Sequence, residues 1–105
     1  MQASLRAVSI PRRREILRLV WDKELSAGEI ASHFDDVSWA AVSQHLRVLR
    51  EAGLVRERRD GNRRLYRADR RALGPLRSLL KSLWVQDLDR LRMLAEQEEQ
   101  GKRRP

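Results

Sequence analysis

Ser43, Gln44 and Arg47 carry hydrogen-bonding groups one and three residues apart, interleaved with Val42, Leu46 and Leu49, which repeat at four and three residues. On a helix that repeat makes one buried stripe and turns the polar residues away from it. Ser43 and Gln44 then offer donors and acceptors suited to base edges, glutamine pairing well with adenine. Arg47 suits a phosphate, a contact that positions rather than specifies. Ala40 is small enough for close approach or for a thymine methyl. Trp39 either packs on sugar and thymine methyl groups or folds back against the preceding helix. His45 borders the buried stripe and reads as a partly packed or phosphate-facing residue rather than a metal ligand.

The elements needed to hold these residues are legible around them. Ser38 is an N-cap for the helix that carries them, and Gly53 supplies its C-terminal stop. Ahead of it, Ser26-Ala27-Gly28-Glu29 reads as a capping box that starts a shorter helix with Ile30, Ala31 and Phe34 facing inward. Asp35-Asp36-Val37 is the turn between them. Two short helices joined in this way form a helix-turn-helix, whose second helix enters a major groove.

The segment VRERRDGNRRLYRA follows directly. Leu54 to Arg59 and Arg63 to Ala68 are strand candidates around Asp60-Gly61-Asn62, since glycine accepts the positive φ of a hairpin turn. Residues 56 to 71 hold eight arginines against three acidic residues, a local charge of +5. Arg58, Arg59, Arg63 and Arg64 flank the turn, and like charges so close repel unless an anion neutralises them. A narrow minor groove or forked phosphates give that relief. The plainer alternative is a solvated edge guarded against strand-to-strand pairing.

Toward the N-terminus, Gln2 to Ser9 is a short helix candidate, and Pro11 suits the first turn of the next. Ile16, Leu17, Leu19 and Val20 give that helix an apolar face, extended by Trp21, and it is expected to fade near Asp22. From about Arg71 onward Leu76, Leu80, Leu83, Trp84, Leu88, Leu91 and Ala95 recur at threes and fours. That stripe serves a homodimer, intramolecular packing, or both. A twofold dimer matches an inverted-repeat site and doubles the phosphate contacts.

The 105-residue chain has a formal net charge of +8 and no cysteine. Such a charge suits a polyanion partner through counterion release, although solubility alone also accounts for it. The missing thiols remove disulfides, thiolate nucleophiles and cysteine metal sites. The two histidines, His33 and His45, sit in predicted helices, and no nucleophile–base set, phosphate-cradling glycine loop or metal motif accompanies them. An enzyme is not expected, nor is any cofactor, catalytic residue or metal ligand. MQASLRAVSIPRRRE lacks the apolar run of a signal peptide, and no stretch approaches the length of a bilayer span, so a cytoplasmic protein is the expectation.

The text ELSAGEIASHF, then SWAAVSQHLRVLREAGLVRERRDGNRRLYR, then a leucine-rich helix resembles the ArsR family of winged helix-turn-helix repressors over about residues 10 to 95. The resemblance implies a mainly α fold with a small β-hairpin, in the order α1-α2-α3-α4-β1-β2-α5, dimerised through the terminal helices. It also implies that Trp39, Ala40, Ser43 and Gln44 hold the DNA-reading positions. Many family members sense thiophilic metals through cysteines in the segment corresponding to ELSAGEI. Ser26 and Gly28 stand there in this chain, and neither is a soft-metal ligand. The terminal helix also lacks histidine. A repressor that does not use the family's metal sites is implied, its signal, if any, being an organic effector ligand, a partner protein or its own concentration.

The combined expectation is one DNA-binding and dimerisation domain over residues 1–100 with a polar tail at 101–105. Double-stranded DNA is the expected partner, met by Ser38, Trp39, Ala40, Ser43, Gln44, His45, Arg47, Arg58, Arg59, Asn62, Arg63 and Arg64. A second copy is expected against Leu5, Leu76, Leu80, Leu83, Trp84, Leu88 and Leu91. The competing class is a non-specific architectural nucleic-acid-binding protein, which the charge alone permits.

Overall fold

Pro11 opens α2 (Pro11–Leu19), where its missing N–H is one the helix end leaves unpaired anyway and its fixed φ is already helical. The computed structural model describes the backbone of residues 2–102 and the side chains of residues 2–98. Contacts divide the chain into two units, Met1–Pro75 and Leu76–Pro105.

In the first unit α1 (Gln2–Val8) and α2 precede a two-residue strand β1 (Leu25–Ser26), α3 (Ala27–Ala31) and α4 (Trp39–Glu51). The chain continues through β2 (Val55–Asp60), β3 (Arg63–Ala68), a one-turn α5 (Arg70–Leu73) and a 3-10 turn over Gly74–Leu76. Val8 from α1, Ile16 and Leu17 from α2, Ile30 from α3 and Val42, Leu46 and Leu49 from α4 are all withdrawn from solvent. Their spacing within each helix is what makes one face of each apolar. Arg14 is also buried, and its Nη1 donates to the Val8 carbonyl at 2.9 Å, which gives this donor a partner inside the core.

Both expected helix starts carry their caps. The Ser26 oxygen accepts from the Glu29 N–H while the Glu29 carboxylate accepts from the Ser26 N–H, each at 3.1 Å. Ser38 Oγ accepts from the Ala41 N–H, also at 3.1 Å. At the far end of α4, Gly53 takes φ +76°. Its N–H donates to the Arg50 carbonyl and that of Leu54 to the Leu49 carbonyl, both at 2.9 Å, which closes the helix in a Schellman motif.

The sheet is antiparallel in the order β1-β3-β2. Asp60 pairs with Arg63, so Gly61 and Asn62 form the corners of a two-residue turn, with Gly61 at φ +63°. A positive φ at the first corner alone is the type II′ pattern. β1 was not expected; it pairs Leu25 with Tyr66 and Ser26 with Leu65. Two residues are too short for any alternation to show in sequence.

The single C-terminal helix expected from about Arg71 is interrupted. Asp69 caps α5 by accepting from the Ala72 N–H at 3.1 Å, and Pro75, lacking an N–H, falls in the 3-10 turn. The second unit is then α6 (Arg77–Lys102). Its backbone is helical two residues into the expected polar tail, while residues 103–105, like Met1, lie outside the described residues. No helix among the described residues is long and apolar enough to cross a membrane.

Candidate nucleic-acid interface

The exposed side of α4 is the one the apolar repeat leaves over. Val42 and Leu49 are 0% exposed, whereas Trp39 is 61% exposed and Ala40, Ser43, Gln44 and Arg47 face solvent with it. A single helix therefore separates core from polar surface along its length, as the spacing required. Trp39 folds back against the preceding helix, the second of the readings offered for it. Its ring lies against α3 at Gly28 and still presents most of its area outward. Arg47 is steadied by Glu51, one turn on, at 3.0 Å.

His45 is half-buried, and its Nδ1 accepts from Arg13 Nε at 3.3 Å. Burial, then the charges of Arg13 and Arg12, hold its pKa below the ordinary histidine value. A neutral ring between α2 and α4 is the consequence. Arg12 in turn donates to Asp36 at 2.7 Å and lies 5.0 Å over the Phe34 ring, which ties α2 to the turn of the helix pair.

The hairpin arginines correct one sequence argument. Crowding at the tip was expected to leave them in need of an external anion. Arg58 instead forks onto Glu24 at 2.9 and 3.0 Å, and Arg63 donates to Glu29 at 2.6 Å. Arg64 lies 3.4 Å from Glu57, which also accepts from Arg50 at 2.5 Å. Glu24 and Glu29 lie outside the segment whose charge was counted, and only the fold brings them in. Both carboxyl groups are held below their usual pKa, Glu24 by the hydrogen bond from Arg58 and Glu29 first by the Ser26 N–H. Arg59 and Asn62 are different: both are exposed, and neither has an ion pair or side-chain hydrogen bond among the described residues. Arg59 also sits directly opposite Arg64 across the strands, a like-charge pair that an anion would relieve.

Between α4 and the hairpin is an open cleft of about 220 Å³ lined by Ser43, Leu46, Arg47, Arg50, Arg64 and Tyr66. Arg50 and Tyr66 line this cleft and were not among the expected site residues. Arg50 follows Arg47 by three residues and Ser43 by seven, so helical spacing alone was enough to place it; Tyr66 had no such signal. No cluster of three or more metal-ligating side chains occurs among the described residues.

The expected dimer surface is rearranged by burial. Leu76 and Leu80 are 5% and 0% exposed within one chain, so a second copy finds little of them to cover. Leu83 and Trp84 are half-buried, while Leu5 on α1 and Leu88 and Leu91 on α6 are exposed. Leu79, Val85, Met93 and Leu94 are exposed apolar residues of α6 that the sequence reading left out.

A capped helix with a polar outer side, its shorter partner, and a basic antiparallel hairpin after it define a winged helix-turn-helix DNA-binding protein. Residues 11–57 match the family model described as bacterial regulatory protein, arsR family. The chain is 42% identical over 76 residues to the HTH-type transcriptional regulator Rv2034 of Mycobacterium tuberculosis, covering 72% of this chain and 70% of that one. It is 37% identical over 82 residues to the transcriptional activator HlyU of Vibrio cholerae, covering 78% and 75%. Among solved structures, the homodimeric winged helix-turn-helix DNA-binding domain Mb0332 of Mycobacterium bovis superposes with a TM-score of 0.64 at 28% identity, over 80% of this chain and 74% of that one. The protein belongs to the arsR family of bacterial regulators. It is a DNA-binding transcriptional regulator and not an enzyme.

Proposed function

We propose that this regulator is a dimeric repressor that binds an inverted-repeat operator and blocks the promoter beneath it, acting in the cytoplasm on its own or neighbouring genes. The observation that carries the reading is the split on α4. Ala40, Ser43 and Gln44 are exposed beside a half-seated Trp39, while Val42, Leu46 and Leu49 are buried. Ser43 and Gln44 read base edges and Trp39 and Ala40 meet apolar groups in the major groove. Arg47 and the hairpin arginines hold phosphates, and Arg59 and Asn62, which have no ion pair or side-chain hydrogen bond among the described residues, do so at no cost in internal contacts.

The second copy packs on the exposed apolar residues of α6, Leu88 and Leu91 among them, with Leu5 of α1 contributing. Leu83 and Trp84 have part of their surface left for the same contact. Residues 1–100 act together as the DNA-binding and dimerisation domain. The signal, if there is one, is an organic ligand, a partner protein or the protein's own concentration, since Ser26 and Gly28 cannot bind a soft metal. Activation is the second reading, supported by the relative named as an activator. The same contacts serve either outcome, depending on where the operator lies relative to the promoter.

Selection of duplexes from a random pool by the purified protein tests the proposal. A twofold-symmetric motif, bound far more tightly than scrambled duplex at matched salt, is expected. Equal affinity for both would replace the regulator with a non-specific architectural binder. A reporter carrying the motif then separates repression from activation.

A further inference from the structure

Gly28 is the second residue of α3, and its backbone does not call for glycine: the positive-φ glycines among the described residues are Gly53 and Gly61. Within a helix glycine is among the weakest choices, so some other feature has to explain it. That feature is Trp39. A Cβ built at residue 28 would stand 3.1 Å from Cζ2 and 3.4 Å from Cη2 of the indole. Carbon atoms in favourable contact sit about 3.5–4.0 Å apart. The six-membered ring of Trp39 thus occupies the room a side chain at residue 28 would take.

The two partners in this contact differ in freedom. The Gly28 side is fixed: α3 begins in the Ser26–Glu29 capping box, and Ser26 is paired with Leu65 in the sheet. The Trp39 side is 61% exposed at the head of α4, with open solvent into which the ring can swing. A group added at residue 28 therefore moves the indole rather than α3.

We propose that Gly28 is a positioning residue for DNA reading: by leaving room for the indole of Trp39 it fixes which part of the ring α4 offers to the major groove, where the apolar partner is a thymine C5-methyl. This rests on α4 being the DNA-reading helix. Gly28 touches no base itself; it acts through Trp39. Its neighbour Glu29 holds Arg63 of the hairpin, so the first turn of α3 supports both DNA-facing elements.

The test uses the duplex selected by the wild-type protein, the same duplex with single thymines replaced by uracil, and a scrambled duplex. Gly28→Ala should keep the thermal midpoint, because alanine favours the helix and the ring can yield. It should shift the Trp39 indole N–H resonance and bind the selected duplex roughly tenfold more weakly, the scale of one lost base contact. Wild-type protein should lose affinity for uracil at one position per half-site, and Gly28→Ala should be indifferent there. In a Trp39→Ala background Gly28→Ala should have no effect on DNA. Trp39→Phe, which leaves α3 untouched, should show a similar loss centred on the same thymine.

Equal losses from Gly28→Ala with and without Trp39 would overturn the inference, as would an unchanged affinity despite a shifted indole resonance. Wild-type indifference to uracil at every position would overturn it too, while discrimination against scrambled duplex left the regulator reading standing. Wild-type protein that failed to discriminate at all would remove that reading and this inference together.

Discussion

Arg50 on α4 donates to the Glu57 carboxylate on β2 at 2.5 Å, and so joins α4 to the hairpin beside the cleft that Arg50 lines. Glu57 is only 17% exposed and serves Arg64 of β3 as well, at 3.4 Å. One carboxylate therefore restrains two guanidinium groups on the surface proposed to meet phosphate. Glu57→Gln removes that negative charge and releases both arginines. Affinity for random duplex is expected to rise more than affinity for the operator, with a steeper salt dependence, since freed cations add sequence-independent contacts. Titrations of both duplexes over a salt series check this; an unchanged slope would show the arginines are not available to phosphate.

Gln44 and Arg59 are expected to fail in different ways. Gln44→Ala removes a base contact and should cost about 1–3 kcal/mol at one operator position, with little effect on random duplex. Arg59 is exposed and without an intramolecular partner among the described residues. Arg59→Ala should weaken binding to every sequence and lower the salt slope by about one. Arg63→Ala should do less, because Arg63 gives up Glu29 before it can hold a phosphate. Binding isotherms on operator and scrambled duplex separate these roles, and matching profiles for Gln44→Ala and Arg59→Ala would contradict the division.

Leu80 and Leu91 share the apolar repeat of α6 but differ in exposure, 0% against 57%. Leu80→Ala is expected to act on folding, costing about 2–5 kcal/mol as other buried leucines do. Leu91→Glu should leave the folded chain intact and weaken association of two copies. Denaturation and sedimentation measured side by side distinguish the outcomes. If Leu91→Glu sedimented as wild type, Leu91 would lie off the interface.

The helix pair was legible because its signals are local. Ser26 with Glu29, Ser38 and Gly53 each mark an end through bonds to residues three to five positions away, and the Val42–Leu46–Leu49 stripe needs only helical spacing. The hairpin's place followed from Gly61 in the same way, but not its register: Asp60, expected in the turn, pairs with Arg63 as the last residue of β2. What escaped were the pairings between segments far apart in the chain. Glu24 and Glu29 reach Arg58 and Arg63 over 34 residues, so a charge count within the hairpin overstated its repulsion. β1 exists because β3 offers an edge, and Leu80 looked like its neighbours in the repeat until its burial was known.

The pH dependence of folding is expected to have two regions of opposite origin but the same sign. His45 is neutral and half-buried, and its folded pKa is held below the usual 6.5 by burial and by Arg13 and Arg12. Below the unfolded value the unfolded chain takes up the proton more readily than the folded one, so stability should fall as pH drops from about 6.5. Glu24, Glu29 and Asp69 also have lowered folded pKa values, through Arg58, through the Ser26 N–H, and through the Ala72 N–H with Arg56. Their contribution is present above the ordinary carboxylate range and is lost as pH falls through the folded values, so a second decline should follow below about 4. Urea denaturation at intervals from pH 8 to pH 3, in wild type and His45→Asn, resolves the two. The substitution should flatten the upper region and leave the acid region in place; an upper region unchanged in His45→Asn would assign it to another group.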